Sequence, residues 1–252
     1  MAKISNFHSP KLNQVEINDS FWSFYQKLVR EVVIPYQWEV LNDRVEGAEK
    51  SHAVENFRIA AGLSKGDFYG CIFQDSDIAK WLESVAYSLE THPDKNLEAI
   101  ADEMIELIGK AQQSDGYLNT KFIIANADER WTNLHEAHEL YCAGHMLEAA
   151  VAYFTATGKS TLLDIMTRNI EHIINNFGNE EGKLRGYPGH QELELALVKL
   201  YRLTNDERHL KLCEYFLRER GAKPYYFDIE WEKRGKTSHW TGAKSNPPSW
   251  ST

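Results

Sequence analysis

A tyrosine, a threonine and a leucine recur at similar spacing at three places in this chain, each time across a short polar turn. Each tyrosine lies three or four residues before its threonine, and each leucine lies six residues after it: Tyr87, Thr91 and Leu97; Tyr153, Thr157 and Leu163; Tyr201, Thr204 and Leu210. A helix end, a polar turn and a returning apolar helix make an αα-hairpin. The recurrence predicts an all-α fold of consecutive hairpins, arranged as a solenoid or as an αα toroid.

Helical periodicity along the rest of the chain supports this fold class. Asp19 or Ser20 can cap a helix that Pro35 interrupts, Ser51 begins a second helix, and Asp75 or Ser76 begins a third. Five more helices are predicted at 94–113, 134–157, 160–177, 189–204 and 206–220. Short β excursions are predicted at 66–73 and 116–124. The irregular hairpin spacing favours a toroid over a tandem array.

Composition and charge limit the partners of the chain. Its 252 residues are 42% hydrophobic, and 28 basic against 37 acidic residues give a net charge of -9. This charge argues against binding nucleic acid or an anionic membrane. Cys71, Cys142 and Cys213 are too few and too scattered for a disulfide framework or a zinc ribbon. With no apolar run long enough to span a membrane, a cytoplasmic protein is expected.

Histidines cluster at the start of the predicted helix 134–157, in the segment NLHEAHELYCAGH. The His-Glu-x-x-His motif of zinc proteases is absent, because the second histidine comes one residue early, at His138. In a helix His135, His138, Cys142 and His145 would share an arc of about 80°. They would also be spread over about 15 Å, too far for one metal ion. The stripe therefore predicts a cleft for a polyhydroxylated ligand, unless each histidine merely binds a nearby carbonyl.

Polar residues also gather at three helix junctions, where sugar hydroxyl groups could be bound. The alternative is that they only cap helices and close turns. Tyr117, Trp131 and Tyr187 could stack on a sugar ring. The junction residues are Gln74, Asp75 and Asp77 in FQDSD, Gln112, Gln113 and Asp115 in AQQSDGYLNT, and His190 in GYPGHQELELA.

Taken together, these motifs resemble the amino-terminal part of glycoside hydrolase family 127, the non-reducing-end beta-L-arabinofuranosidases. The resemblance covers about residues 7–242, through VIPYQWEVLND, SHAVENFRIAAG, FQDSDIAKWLE, AQQSDGYLNT, HELYCAGHMLEAAVAYFTATG, GHQELELALVKLY and YYFDIEWEKRGKTSHW. It implies an (α/α)6 barrel and removal of terminal arabinofuranose from plant-derived glycans. By this similarity His138 and His190 hold the sugar. His145, Gln74 and Asp115 are further substrate-binding candidates.

The chain departs from the family pattern in the motifs that carry catalysis. The resemblance implies a zinc-bound cysteine nucleophile and a glutamate acid/base, with ligands in Glu-x-Cys and Cys-Cys motifs that this sequence does not contain. We therefore expect an incomplete toroid over residues 1–242 and a divergent tail over 243–252. Catalytic residues, metal and cofactor are not expected in this chain, although zinc is implied for the full-length family. Self-association through the exposed barrel edge is expected.

Two other functions remain open at the level of sequence. One is a toroidal hydrolase or epimerase that uses aspartates such as Asp75 or Asp115 for acid/base chemistry. This requires a second carboxylate across the cleft, about 5 Å away for a retaining glycosidase. The other is a non-enzymatic helical binding scaffold, which would show a long exposed apolar groove instead of a histidine-lined cleft.

Overall fold

The predicted all-α fold is confirmed by a computed structural model, which describes residues 10–237. Its helices are α1 (Trp22–Leu28), α2 (Ile34–Leu41), α3 (Ala53–Ala60), α4 (Asp75–Thr91), α5 (Lys95–Ala111), α6 (Thr120–Ile124), α7 (Glu139–Thr157), α8 (Thr161–Asn176), α9 (Glu192–Thr204), α10 (Glu207–Gly221) and α11 (Tyr226–Lys233). Short 3-10 turns lie at Leu12–Gln14 and Ala127–Glu129. The predicted boundary at residue 242 and the tail 243–252 lie outside the described residues.

Both predicted β excursions are wrong. Residues 66–73 form an irregular connection, and within 10–237 the β pairing is an isolated bridge between Phe177 and Leu184. In the second segment the side chain of Asn119 accepts a hydrogen bond from the backbone N–H of Phe122 and caps α6. This local cap favours a helical turn over the extended chain that the aromatic and β-branched residues suggested.

Pro35 does not interrupt the first helical segment. Asp19 accepts the N–H groups of Phe21 and Trp22, as the predicted cap requires, and the backbone is helical from Trp22 to Leu41. A π turn at Val29–Val33 comes immediately before α2, and Pro35 lies in the first turn of α2. Because the π turn already departs from the i→i−4 hydrogen-bonding pattern, the helical backbone continues past a proline that has no N–H to donate.

The hairpins α4–α5, α7–α8 and α9–α10 form two layers. Helices α4, α7 and α9 pack side by side, and each is followed by an outer helix. Outer α8 buries one face, through residues such as Leu162, Ile165 and Ile173, whereas α7 is buried around most of its circumference. A helix enclosed by neighbours needs apolar residues on nearly all sides. Closure into a toroid stays a prediction.

Gly144 permits the close approach of α7 to α9. A Cβ atom at this position would lie 2.7 Å from the backbone nitrogen of Leu193. Such a contact is much shorter than the 3.5–4.0 Å or so that is optimal between nonbonded heavy atoms. The absence of a side chain at Gly144 therefore sets how closely α7 can approach the start of α9 and the turn that carries His190.

Among the described residues, no helix is both long and apolar enough for a membrane span.

Candidate functional site

Helix α7 begins at Glu139, so the predicted helix 134–157 starts five residues too early. His135 and His138 precede the helix, and His138 has a left-handed backbone with φ of 60°. The segment is held by side chains instead of helical hydrogen bonds: Glu139 accepts the backbone N–H of Trp131, and the distant Glu230 accepts those of Leu134 and His135. The predicted stripe on one helix is therefore wrong for its first two members.

Cys142 also leaves the stripe, because its side chain points into the core. It is 3% exposed, and burial raises the pKa of its thiol well above the usual value. His145 lies one turn further along α7 and is only partly buried. Because His135 and His138 precede α7 and Cys142 is buried, His145 is the member of the predicted stripe that remains partly exposed on this helix.

His138 and His190 nevertheless converge, as predicted. Their ring centroids lie 5.1 Å apart, and both rings contact Tyr141, at 5.4 and 5.3 Å. The Nδ1 atom of His138 lies 2.5 Å from the carbonyl oxygen of Glu136, which can only accept a hydrogen bond. Nδ1 is therefore the donor in this hydrogen bond. Sugar binding by the two rings stays a prediction.

Tyr141 and Lys80 extend this cluster towards α4. The ammonium of Lys80 donates to the Tyr141 hydroxyl at 3.0 Å and to the Ser76 hydroxyl at 3.2 Å. The Tyr141 ring also packs edge-on against His145, with centroids 4.4 Å apart. A cation, a phenol and imidazoles thus surround one stretch of surface with groups that can donate or accept hydrogen bonds.

His145 forms a pair with Glu192 of α9. Its Nδ1 lies 3.2 Å from the Glu192 carboxylate. Burial and the nearby Lys80 ammonium lower the pKa of His145 to about 4, so the ring is neutral at pH 7. Burial likewise raises the pKa of Glu192. The contact is then a hydrogen bond from a neutral imidazole to a carboxylate, which fixes the orientation of the ring.

Gln74 lies beside this cluster and is held by its neighbours. Its amide donates to Ser51 at 3.1 Å and to Asp77 at 2.9 Å, and its oxygen accepts the N–H of Cys71. The adjacent Phe73 packs on His138 with ring centroids 5.2 Å apart. Gln74 is therefore near the histidines and orders the start of α4.

The two aspartates have structural contacts. Asp75 accepts both the backbone N–H and the hydroxyl of Thr120, at 2.7 and 2.5 Å, and ties α4 to α6. Asp115 accepts the N–H of Tyr117 in the turn after α5, and its carboxylate lies 3.9 Å from Arg130 and 3.7 Å from His172. The turn alternative is confirmed for Asp115, whereas the prediction that Asp75 caps α4 is wrong, because its carboxylate binds Thr120 instead. These contacts do not join Asp115 to the His138 cluster, and its role in binding stays a prediction.

Sequence reasoning missed three members of the cluster: Tyr141, Lys80 and Glu192. Tyr141 and His145 are four residues apart, so a helix that starts at Glu139 places them on one face. Glu192 stands two residues after His190, in the first turn of α9. Lys80 carried no recognisable signal, because its partner Tyr141 is 61 residues away.

A large cavity lies elsewhere in the described part of the chain. It measures about 890 Å³ and is bounded by α1 and the second half of α4, including Trp22, Tyr25, Tyr87 and His92. It contains neither His138 nor His190. We take the histidine cluster as the candidate site because converging hydrogen-bonding groups, more than volume, give a pocket its specificity.

The described residues do not fit a zinc ion. Within 10–237, no group of three His, Cys, Asp or Glu side chains is arranged to hold a metal. Cys142 and Cys213 are buried, and Cys71 is exposed. A catalytic zinc needs three protein ligands at about 2.0–2.3 Å. We derive no chemical step through zinc for this part of the chain.

Comparisons with known proteins agree with the motifs. The profile of the family described as beta-L-arabinofuranosidase, GH127 catalytic domain, matches residues 14–247. The non-reducing end beta-L-arabinofuranosidase of Bifidobacterium longum subsp. longum is 43% identical, over 84% of this chain and 35% of that protein. The crystal structure of a GH127 beta-L-arabinofuranosidase from Geobacillus stearothermophilus T6 is 60% identical with a TM-score of 0.86, covering 88% of this chain and 35% of that one.

A second solved structure, a GH127 beta-arabinofuranosidase, is 35% identical with a TM-score of 0.76, covering 83% of this chain and 33% of that one. The chain thus spans about a third of the length of the relatives it matches. Because the family profile extends over most of the sequence, the chain belongs to glycoside hydrolase family 127, in its beta-L-arabinofuranosidase catalytic domain.

Proposed function

We propose that this chain forms the sugar-binding part of a glycosidase that removes terminal beta-L-arabinofuranose from plant-type glycans. The observation that carries the proposal is the convergence of His138 and His190, 5.1 Å apart, on the ring of Tyr141. Membership of a glycoside hydrolase family supports the reaction class. A cytoplasmic location remains an expectation.

The chemistry of the cluster suits a small polyhydroxylated ring. Each sugar hydroxyl both donates and accepts, and neutral imidazoles offer one donor and one acceptor. The His145 ring is fixed by Glu192, and the Tyr141 hydroxyl is fixed by Lys80. Groups that are already oriented lose little entropy when a ligand binds. We propose that His138 and His190 contact the arabinofuranose hydroxyls, with His145 and Gln74 behind them.

We further propose that the groups that break the glycosidic bond are not among the described residues. A retaining hydrolysis needs a nucleophile and a proton donor about 5 Å apart, on either side of the reacting carbon. Cys142 is the thiol closest in sequence to the histidines, yet its burial disfavours the thiolate that would attack. The proposed role of residues 10–237 is to bind and orient the sugar.

Titration of the chain with methyl beta-L-arabinofuranoside, followed by NMR, tests the binding proposal. We expect His138→Ala and His190→Ala to weaken binding at least tenfold while the melting temperature changes little, because cleft residues contribute little core packing. The matched control is His92→Ala, an exposed histidine at the end of α4. Unchanged binding in both cleft variants would refute the proposed role.

The two alternative functions, acid/base chemistry by aspartates and a binding scaffold, receive different support. Acid/base chemistry by Asp75 is disfavoured, because both of its carboxylate oxygens accept hydrogen bonds from Thr120. A binding scaffold is favoured by one observation: Phe21, Trp22 and Phe24 on and beside α1 are 57–59% exposed, and Trp22 also lines the 890 Å³ cavity. Contiguous exposed aromatic residues are typical of interaction surfaces.

For this surface we propose a second copy of the chain as the occupant, because the same aromatic ridge and cavity on each copy can be complementary. Light scattering across a concentration series tests it. We expect wild-type mass to rise with concentration, and Trp22→Ser to keep the chain monomeric. Leu195→Ser, an exposed apolar residue on α9, is the control and should self-associate as wild type. A monomeric wild type at all concentrations would contradict the proposal.

A further inference from the structure

The segment that carries His138 has an unusual backbone. Residues 131–138 connect the 3-10 turn at Ala127–Glu129 to α7, and both Trp131 and His138 have left-handed conformations, with φ of 62° and 60°. A bulky residue such as tryptophan adopts this conformation only when its surroundings impose it. The position of the His138 ring therefore depends on contacts that hold the segment from outside.

Helix α11 supplies those contacts. Glu230 is 2% exposed, and its two carboxylate oxygens accept the backbone N–H groups of Leu134 at 2.6 Å and His135 at 3.2 Å. One turn later Arg234 donates to the carboxylate of Glu136 at 2.9 Å. The carbonyl of the same Glu136 lies 2.5 Å from Nδ1 of His138. A continuous set of hydrogen bonds thus leads from α11 to the imidazole.

The turn that carries His190 rests on the same backbone. A Cβ atom on Gly189 would lie 2.3 Å from the carbonyl oxygen of His135. This close approach means that a displacement of His135 also displaces the turn before α9. The separation of His138 and His190 is therefore set in part by where Glu230 holds residues 134 and 135.

We propose that Glu230 is a positioning residue: by binding the N–H groups of Leu134 and His135 it fixes the His138 ring against the His190 ring. It acts through the backbone and does not itself contact the sugar. Its importance for sugar affinity rests on the proposed function, whereas its hold on the histidine rings does not. The buried carboxylate is suited to this role because it satisfies two N–H groups that lack helical partners.

Two variants separate positioning from general destabilisation. Glu230→Ala removes both acceptors, and Glu230→Gln keeps one carbonyl oxygen and nearly the same volume. Glu232→Ala is the control on the same helix, since Glu232 is exposed and pairs with Lys236. Ile170→Val is the control for lost stability, because Ile170 is fully buried on outer helix α8.

The first measurement is NMR of the 252-residue chain with 15N-labelled histidine, and the His138 signals are assigned by their loss in His138→Ala. We expect Glu230→Ala to shift or broaden the Nδ1 and Nε2 signals of His138 and His190. Glu230→Gln should give a smaller change, and both controls should keep the wild-type signals. Wild-type His138 and His190 signals in folded Glu230→Ala would overturn the proposal. If Glu230→Ala does not fold, Glu230→Gln is the deciding variant. Wild-type His138 and His190 signals in Glu230→Gln would then overturn the proposal.

The second measurement is affinity for methyl beta-L-arabinofuranoside. A displaced binding group can cost up to about 100-fold, so we expect Glu230→Ala to lose ten- to hundredfold in affinity and Ile170→Val to lose none. Wild-type chain that binds no sugar would count against the proposed function alone, because the histidine signals decide the positioning role independently. If Glu230→Ala shifts the histidine signals but keeps wild-type affinity for the sugar, the position of the His138 ring does not determine sugar affinity.

Discussion

Raising the pH from 7 to 8 should destabilise this protein through Glu139, at the first position of α7. Its side chain is 2% exposed, and burial raises the pKa of the carboxyl group to about 8, against the opposing effect of hydrogen bonds from Tyr117 and Trp131. In the unfolded chain the same group ionises near its ordinary value of 4.5. Between these values the folded protein holds a proton that the unfolded chain has released. The free energy of unfolding therefore falls as pH rises, by at most about 1.4 kcal/mol per pH unit.

Among the groups with folded pKa values between about 4 and 8, Glu139 contributes most of the change between pH 7 and 8. The pKa values of His135 and His145 are lowered to about 4. These two groups make the free energy of unfolding rise with pH, but only up to about pH 6.5, their ordinary pKa. Burial also raises the pKa of Asp75 to about 6 and that of Glu230 to about 7, so most of their effect lies at lower pH. Because Glu139 is partly titrated across this interval, its contribution is about 1 kcal/mol.

Urea denaturation followed by tryptophan fluorescence, at constant ionic strength and at three pH values from 7 to 8, measures this slope. The matched variant is Glu139→Gln, which keeps the size of the side chain and removes its titration. We expect wild type to lose about 1 kcal/mol more than the variant over the interval. Parallel pH profiles of wild type and variant would refute the argument that burial keeps Glu139 protonated.

Three further predictions concern helix packing, capping and activity. Gly144→Ala should lower the free energy of unfolding by about 1–3 kcal/mol, because the new methyl group would contact the backbone of Leu193. Gly221→Ala, with open space around it, should not lower it, and urea denaturation compares the two variants. Asp94→Ala should lower it by about 1 kcal/mol through loss of the cap on two N–H groups of α5, with Asp94→Asn near wild type in the same assay. The 252-residue chain should leave a chromogenic beta-L-arabinofuranoside unhydrolysed with or without added zinc; turnover that Cys142→Ala abolishes would contradict this.

Much of the fold could be predicted because short local sequences determine where the helices of each hairpin begin and end. Predicted helices at 94–113, 160–177 and 206–220 correspond to α5, α8 and α10 within two residues at each end. Asp94 and Asp206 cap two of these helices with their own side chains. Local caps and turns need no knowledge of the rest of the molecule, so they can be read from a short window.

The errors lie where distant residues decide the local conformation. The predicted start of α7 is too early because Glu230, about 95 residues further along the chain, accepts the N–H groups of Leu134 and His135, and no local pattern indicates this contact. The same holds for the site: the family motifs indicated His138 and His190, whereas the link between Lys80 and Tyr141 depends on helix packing. Cys142 lies in α7 as predicted, but packing against the core buries its side chain, which helical periodicity alone does not indicate.

The hold of α11 on the segment before α7 also has a consequence for synthesis on the ribosome. Glu230 follows Leu134 by 96 residues in the chain. At a translation rate of about 5–20 residues per second, α11 is made roughly 5–20 seconds after that segment. Throughout this interval the N–H groups of Leu134 and His135 lack their carboxylate partner. The histidine pair can therefore reach its final arrangement only once α11 has emerged, after the hairpins that surround it.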